Sequence, residues 1–105
     1  MILDENQLLT KSGAEELVTR ASDFSCECPR HLVAILEKVR EFQAYEQGCI
    51  TTSPRDKETH EWLYMSARNI DQMISATIVQ LARLEGMINE HDQFMDHPNR
   101  GQLQS

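Results

Sequence analysis

From Leu63 to Ile88 the residues Leu63, Ala67, Ile70, Ile74, Thr77, Leu81, Leu84 and Ile88 fall alternately four and three positions apart. That seven-residue repeat places one apolar stripe along a helix, and such a stripe has to be covered by another helix. Ser53-Pro54-Arg55-Asp56 supplies a start signal, with a capping hydroxyl, a proline at the first helical position and an acid in the first turn. With no proline before Pro98, the pattern predicts a helix from Pro54 to about Glu90, ~55 Å long at 1.5 Å per residue.

Two shorter helices precede it. Leu32, Ile35, Leu36, Val39, Phe42 and Tyr45 form a second stripe behind Pro29, with Cys28 as the expected N-cap and an end near Gly48. Asp4 to about Ala21 reads as a first helix with Leu8, Leu9, Ala14, Leu17, Val18 and Ala21 on its apolar side. Gly13 weakens it by ~1 kcal/mol relative to alanine. A second helix of ~27 Å cannot cover a third of ~55 Å. Either the third helix breaks and folds back as a fourth, or its distal half projects and pairs with a second protomer, which the unbroken repeat favours. The expected fold is therefore an all-α, three- or four-helix bundle whose long C-terminal helix forms a dimeric coiled-coil-like seam. Residues 1–92 are expected to form one helical domain, and 93–105 a flexible tail.

A net charge of -7 opposes direct binding to a nucleic-acid backbone, whose affinity depends on Lys and Arg releasing counterions. No apolar run is long enough to span a bilayer, and the opening MILDENQLL lacks the charge and apolar stretch of an export signal. A cytoplasmic location is expected. Cys26, Cys28 and Cys49 are an odd number of thiols, a poor basis for a disulfide framework.

The most unusual stretch is Cys26-Glu27-Cys28-Pro29-Arg30-His31, in which Cys26, Cys28 and His31 are metal-ligand types at a helix N-terminus that favours a thiolate. Zinc in a structural site takes four ligands, and this string offers three. Cys49 is a candidate fourth, but it stands at the far end of the second helix and could arrive only from a partner. Two alternatives remain: a redox pair, or small apolar residues packed under the first helix with Cys28 capping the second. His60 beside Glu61 and Trp62 could pass for a general base with a substrate-binding ring, against a packed Trp62 near Tyr45 and an exposed His60. His91 and His97 read as solvated. No nucleophile elbow, glycine-rich phosphate loop or HExxH is present, so the chain is expected not to be an enzyme and to carry no cofactor unless zinc.

The string Phe24-Ser25-Cys26-Glu27-Cys28-Pro29-Arg30-His31-Leu32, followed by Phe42, Tyr45-Glu46 and Cys49, resembles a small helical CxCPxHL module of bacterial regulators, sometimes attached to a MerR-type DNA-binding domain. The resemblance covers the middle half of the chain. It implies a signalling or transcription-linked function in which the helical module supplies contacts and oligomerisation. With no room upstream for a helix-turn-helix and an acidic charge, this chain is expected to act in trans.

The expectation is a non-enzymatic regulatory or adaptor protein acting through protein partners and homodimerisation. Leu63, Ile70, Ile74, Leu81, Leu84, Met87, Ile88 and Met95 are its interaction residues, Met87 and Met95 lying where the long helix leaves the globule. The other class is a cysteine-based metal or redox sensor using Cys26, Cys28 and His31.

Overall fold

The computed structural model describes residues 2–21, 27–52 and 54–95. It contains helices α1 (Lys11–Ala21), α2 (Cys28–Thr52) and α3 (Lys57–Leu84), with a 3-10 turn at Pro54–Asp56 between the last two. Among the described residues the only extended pairing is two isolated antiparallel bridges, Leu3 with Leu9 and Ile88 with Phe94. The all-helical class is as expected; the lengths are not.

The length mismatch disappears because α2 runs past its expected end near Gly48 and α3 stops short of Glu90. α2 continues through Gly48, where a Cβ would meet nothing within 4 Å, and it ends with the Thr51 and Thr52 hydroxyls both donating to the Gly48 carbonyl. α3 stops at Leu84, well before Glu90. The chain there adopts φ 75° at Gly86, the Gly86 N–H donates to the Arg83 carbonyl and the Met87 N–H to the Ala82 carbonyl. This Schellman termination needs a left-handed residue that glycine adopts without steric cost. At 25 and 28 residues, the two helices span ~37 and ~42 Å and form a matched antiparallel hairpin. No distal half of α3 is left projecting. The molecule measures 61 × 23 × 18 Å.

Within the hairpin the buried line of α3 is Ala67, Asp71, Ser75, Ile78, Val79 and Ala82, one step around the helix from the heptad stripe. On α2 the buried residues are Pro29, Val33, Leu36 and Glu46. Asp71 is 1% exposed and lies at the centre of this seam. Its carboxylate accepts from Arg40 Nε at 2.8 Å and Nη2 at 3.1 Å, from Gln43 Nε2 at 3.0 Å and from the Ser75 hydroxyl at 3.0 Å. Burial pushes the Asp71 carboxyl up, but the hydrogen bonds from Arg40, Gln43 and Ser75 and the charge of Arg40 outweigh it and leave its pKa below the ordinary 3.8.

The N-terminal segment was expected to be helical from Asp4. It is instead a tight hairpin, because Asp4 Oδ1 accepts from the backbone N–H groups of Asn6 and Leu8 and so competes with helix formation. α1 begins only after Thr10, whose hydroxyl accepts from the Gly13 N–H and donates to the Ile2 carbonyl. Leu9 is then docked on the polar seam: its N–H donates to Ser75 Oγ at 2.9 Å and its carbonyl accepts from Arg40 Nη2 at 2.6 Å.

Residues 87–95 repeat this hairpin. Asn89 Oδ1 accepts from the N–H groups of His91 and Gln93 as Asp4 does from Asn6 and Leu8. The closing bonds also correspond: Asn89 N–H to Gln93 O with Asp4 N–H to Leu8 O, and Met95 N–H to Met87 O with Thr10 N–H to Ile2 O. Gln7 and Asp92 both take positive φ, 65° and 59°. Gln93 to Met95, expected in the flexible tail, are part of this hairpin, which is held to the helices: Arg83 binds Asp92, while Arg20 donates to the Met95 carbonyl and lies 4.9 Å over the Phe94 ring. The two hairpins line a cleft of about 640 Å³ that includes Ile2, Gly13, Asp92 and Phe94. Pro98 and the rest of the tail lie outside the described residues.

Two predictions follow from this packing. Although alanine gains ~1 kcal/mol of helix propensity over glycine, Gly13→Ala should destabilise the protein in urea denaturation, because a Cβ there would stand 2.8 Å from Thr10 Oγ1 and 3.1 Å from the Ile2 carbonyl oxygen. The second concerns acid. The lowered folded pKa of Asp71 means that the unfolded chain takes up this proton first as the pH falls. The ion pair's contribution is thus complete above about pH 5, well clear of the ~3.9 of a free aspartate, and is lost as the pH falls through the folded pKa. Asp71→Asn should cost about 1.5–3 kcal/mol at neutral pH, the range for hydrogen bonds to a charged group, because the Arg40 left behind is partly exposed, and should flatten the acid limb of stability measured against pH.

Candidate functional site

The cysteine string does not assemble a ligand set among the described residues. α2 starts with the His31 N–H donating to the Glu27 carbonyl, one residue earlier than the expected cap. Cys28 is exposed rather than packed beneath α1, and His31 is exposed as well. Cys26 lies outside the described residues. Cys49 stands 21 residues along the same helix, ~31 Å from Cys28.

Cys49 instead meets two residues that sequence reasoning did not join to it. Glu46 and Cys49 are one turn apart on α2, His60 lies in the first turn of α3, and one donor atom from each falls within 4.8 Å of the others. His60 Nδ1 is 2.6 Å from Glu46 Oε1, and the Glu46 side chain is only 4% exposed. Among the described residues His60 is the one side chain hydrogen-bonded to this buried carboxylate. Tyr45 stands at the outer edge, where a hydrogen bond with Cys49 and the charges of Cys49 and Glu46 raise its phenol above the ordinary 10.0. His60 is thus half-buried on a carboxylate, whereas Trp62 is exposed, the reverse of the expected arrangement.

The second feature is a bare apolar face on the α2–α3 hairpin. One flank of α2, through Val33, Glu37, Arg40 and Ala44, lines the groove against α1, and α3 meets the N-terminal hairpin through Ser75 on the same side. In an antiparallel pair the two remaining flanks fall together on the opposite side. There α2 presents Ile35, Phe42 and Cys49 seven residues apart, and α3 presents Ile70, Thr77 and Leu84 at the same interval. Ile35 is 51% exposed, Phe42 40%, Ile70 47% and Leu84 70%, with Met73 beside them at 72%. Leu63, Ile74 and Leu81 are half-buried at the inner margin. Met87 and Ile88 are 2% and 3% exposed in the chain's own core, out of reach of a partner, and Met95 is half-buried.

Comparison with protein-family models, curated proteins and solved structures finds no match for this chain. No helix among the described residues is long and apolar enough to cross a membrane.

The Glu46–His60 contact had a faint sequence signal, since the two stand seven residues either side of Ser53 at the hairpin turn. His60→Ala should destabilise the protein by about 1.5–3 kcal/mol, the range for a hydrogen bond to a charged group, because it strands a buried carboxylate. Thermal denaturation followed by circular dichroism, with Trp62→Ala as the exposed control, measures it.

Proposed function

We propose that the chain is a non-catalytic interaction protein that pairs with a second copy through the bare face of the α2–α3 hairpin and serves as a regulatory adaptor. One observation carries the reading: Ile35, Phe42, Ile70, Met73 and Leu84 stay well exposed, while α1 and the N-terminal hairpin cover the other side of the helix pair. No Lys, Arg, Asp or Glu interrupts the row Leu63, Ile70, Met73, Ile74, Thr77, Leu81 and Leu84. Large contiguous apolar patches on soluble proteins mark interaction surfaces, and an apolar hairpin face is self-complementary under a twofold axis. Burial of each large side chain contributes about 1.5–3 kcal/mol.

In this reading the dimer acts through further protein partners in signalling or transcription-linked control, the setting that the resemblance of Phe24 to Leu32 to MerR-associated modules implies. The acidic charge supports action without direct nucleic-acid contact. A sensor built on Cys26, Cys28 and His31 has weaker support, since Cys28 and His31 are exposed.

Light scattering on the untagged chain should give twice the 12.1 kDa chain mass. Ile70→Glu combined with Met73→Glu should weaken association at least ~100-fold, from about 1.5–3 kcal/mol per side chain, with helicity unchanged. A wild-type chain that stays monomeric at high concentration would refute the proposal.

A further inference from the structure

We propose that Glu46, Cys49 and His60 form a binding site for a divalent metal ion of the zinc class at the turn end of the α2–α3 hairpin. Thiolate, imidazole and carboxylate are the donor types that such an ion takes, and three protein ligands with water in the fourth position is a common tetrahedral arrangement. The donors are gathered already: all three lie within 4.8 Å of one another, on two helices held by the same hairpin. Metal–ligand lengths of ~2.0–2.3 Å place tetrahedral donors ~3.3–3.8 Å apart, so the three donors already stand within about 1.5 Å of the spacing such an ion requires.

Electrostatics point the same way. The Glu46 carboxylate is buried, and among the described residues its side-chain partner is one imidazole, 2.6 Å away. A carboxylate and a thiolate together carry two negative charges, which a divalent cation neutralises where water is partly excluded. The ion displaces the proton between His60 Nδ1 and Glu46 Oε1 and the thiol proton of Cys49. Because the ligands span α2 and α3, the ion clips the hairpin at the end opposite Gly86.

This site differs from the Cys26, Cys28 and His31 string, and its test does not depend on dimerisation. Untagged full-length protein, reduced and stripped of metal, is titrated with cobalt(II) and followed by absorption. The expected result is intense tetrahedral d–d bands and near-ultraviolet thiolate-to-cobalt charge transfer that saturate at one equivalent per chain and disappear on adding zinc. Cys49→Ser, whose fold is checked by circular dichroism, should abolish the charge transfer. Glu46→Gln and His60→Ala should weaken binding at least ~10-fold, the loss that even outer-shell changes cause. Cys28→Ser and His31→Ala should leave the titration unchanged. A hundredfold excess of zinc over its Kd should raise the melting midpoint by ~10 °C. Absence of the bands at tens of micromolar cobalt, their survival in Cys49→Ser, or their loss in Cys28→Ser would each overturn the assignment.

Discussion

The buried carboxylate of Asp71 is the constraint from which the rest of the packing follows. Four hydrogen bonds converge on it from α2 and from its own helix, and two of the donors reach further. Arg40 holds the Leu9 carbonyl, and Ser75 receives the Leu9 N–H. One charged group thereby sets the register of α2 against α3 and docks the N-terminal hairpin on both. An apolar seam of the same volume could give equal or greater stability, since desolvating an ion pair is costly. It could not choose among registers, because apolar contacts are non-directional. A fan of directed bonds to one carboxylate permits a single alignment.

The same constraint explains why the helices were legible and their facing sides were not. Apolar periodicity located α2 and α3 because any amphipathic helix shows it. Assigning the Leu63–Ile88 stripe to the seam assumed that the most apolar line faces inward. Asp71 and Ser75 took the inner line instead, supported by the small Ala67 and Ala82, and turned Ile70, Thr77 and Leu84 outward. A polar residue at a helical seam reads as surface unless its partner is known, and Arg40 is 31 positions away. The end of α3 was missed for another reason. Leu84 and Ile88 stay in phase with the repeat across Gly86, so apolar spacing masked a glycine whose positive φ ends the helix.

The paired hairpins show how short polar residues override helix propensity. Ile2-Leu3-Asp4-Glu5-Asn6-Gln7-Leu8-Leu9 and Met87-Ile88-Asn89-Glu90-His91-Asp92-Gln93-Phe94 share few identities, yet they keep an Asp or Asn after an apolar pair and an apolar residue five positions on. The side-chain oxygen of Asp4 or Asn89 takes two backbone N–H groups, and the loop closes with one residue in the left-handed region, which the flanking pairing sustains. Burial of Ile2, Leu9, Met87 and Ile88 supplies the driving force. With α1 only 11 residues long, these loops complete the core that the first helix cannot cover by itself.

The proposed site and the proposed interface are adjacent, and this bears on how such a protein could be regulated. Cys49 continues the row of Ile35 and Phe42 at the same seven-residue interval, so its sulfur lies at the margin of the bare face. Glu46 and His60 behind it belong to the contact that orients the start of α3. An ion that drew the three donors together would fix the helix spacing where the face begins, and a second copy covering the face would restrict water and exchange at the sulfur. Each event would then alter the free energy of the other by the same amount, as linkage requires. The coupling needs no long-range pathway, because one half-buried side chain belongs to both surfaces.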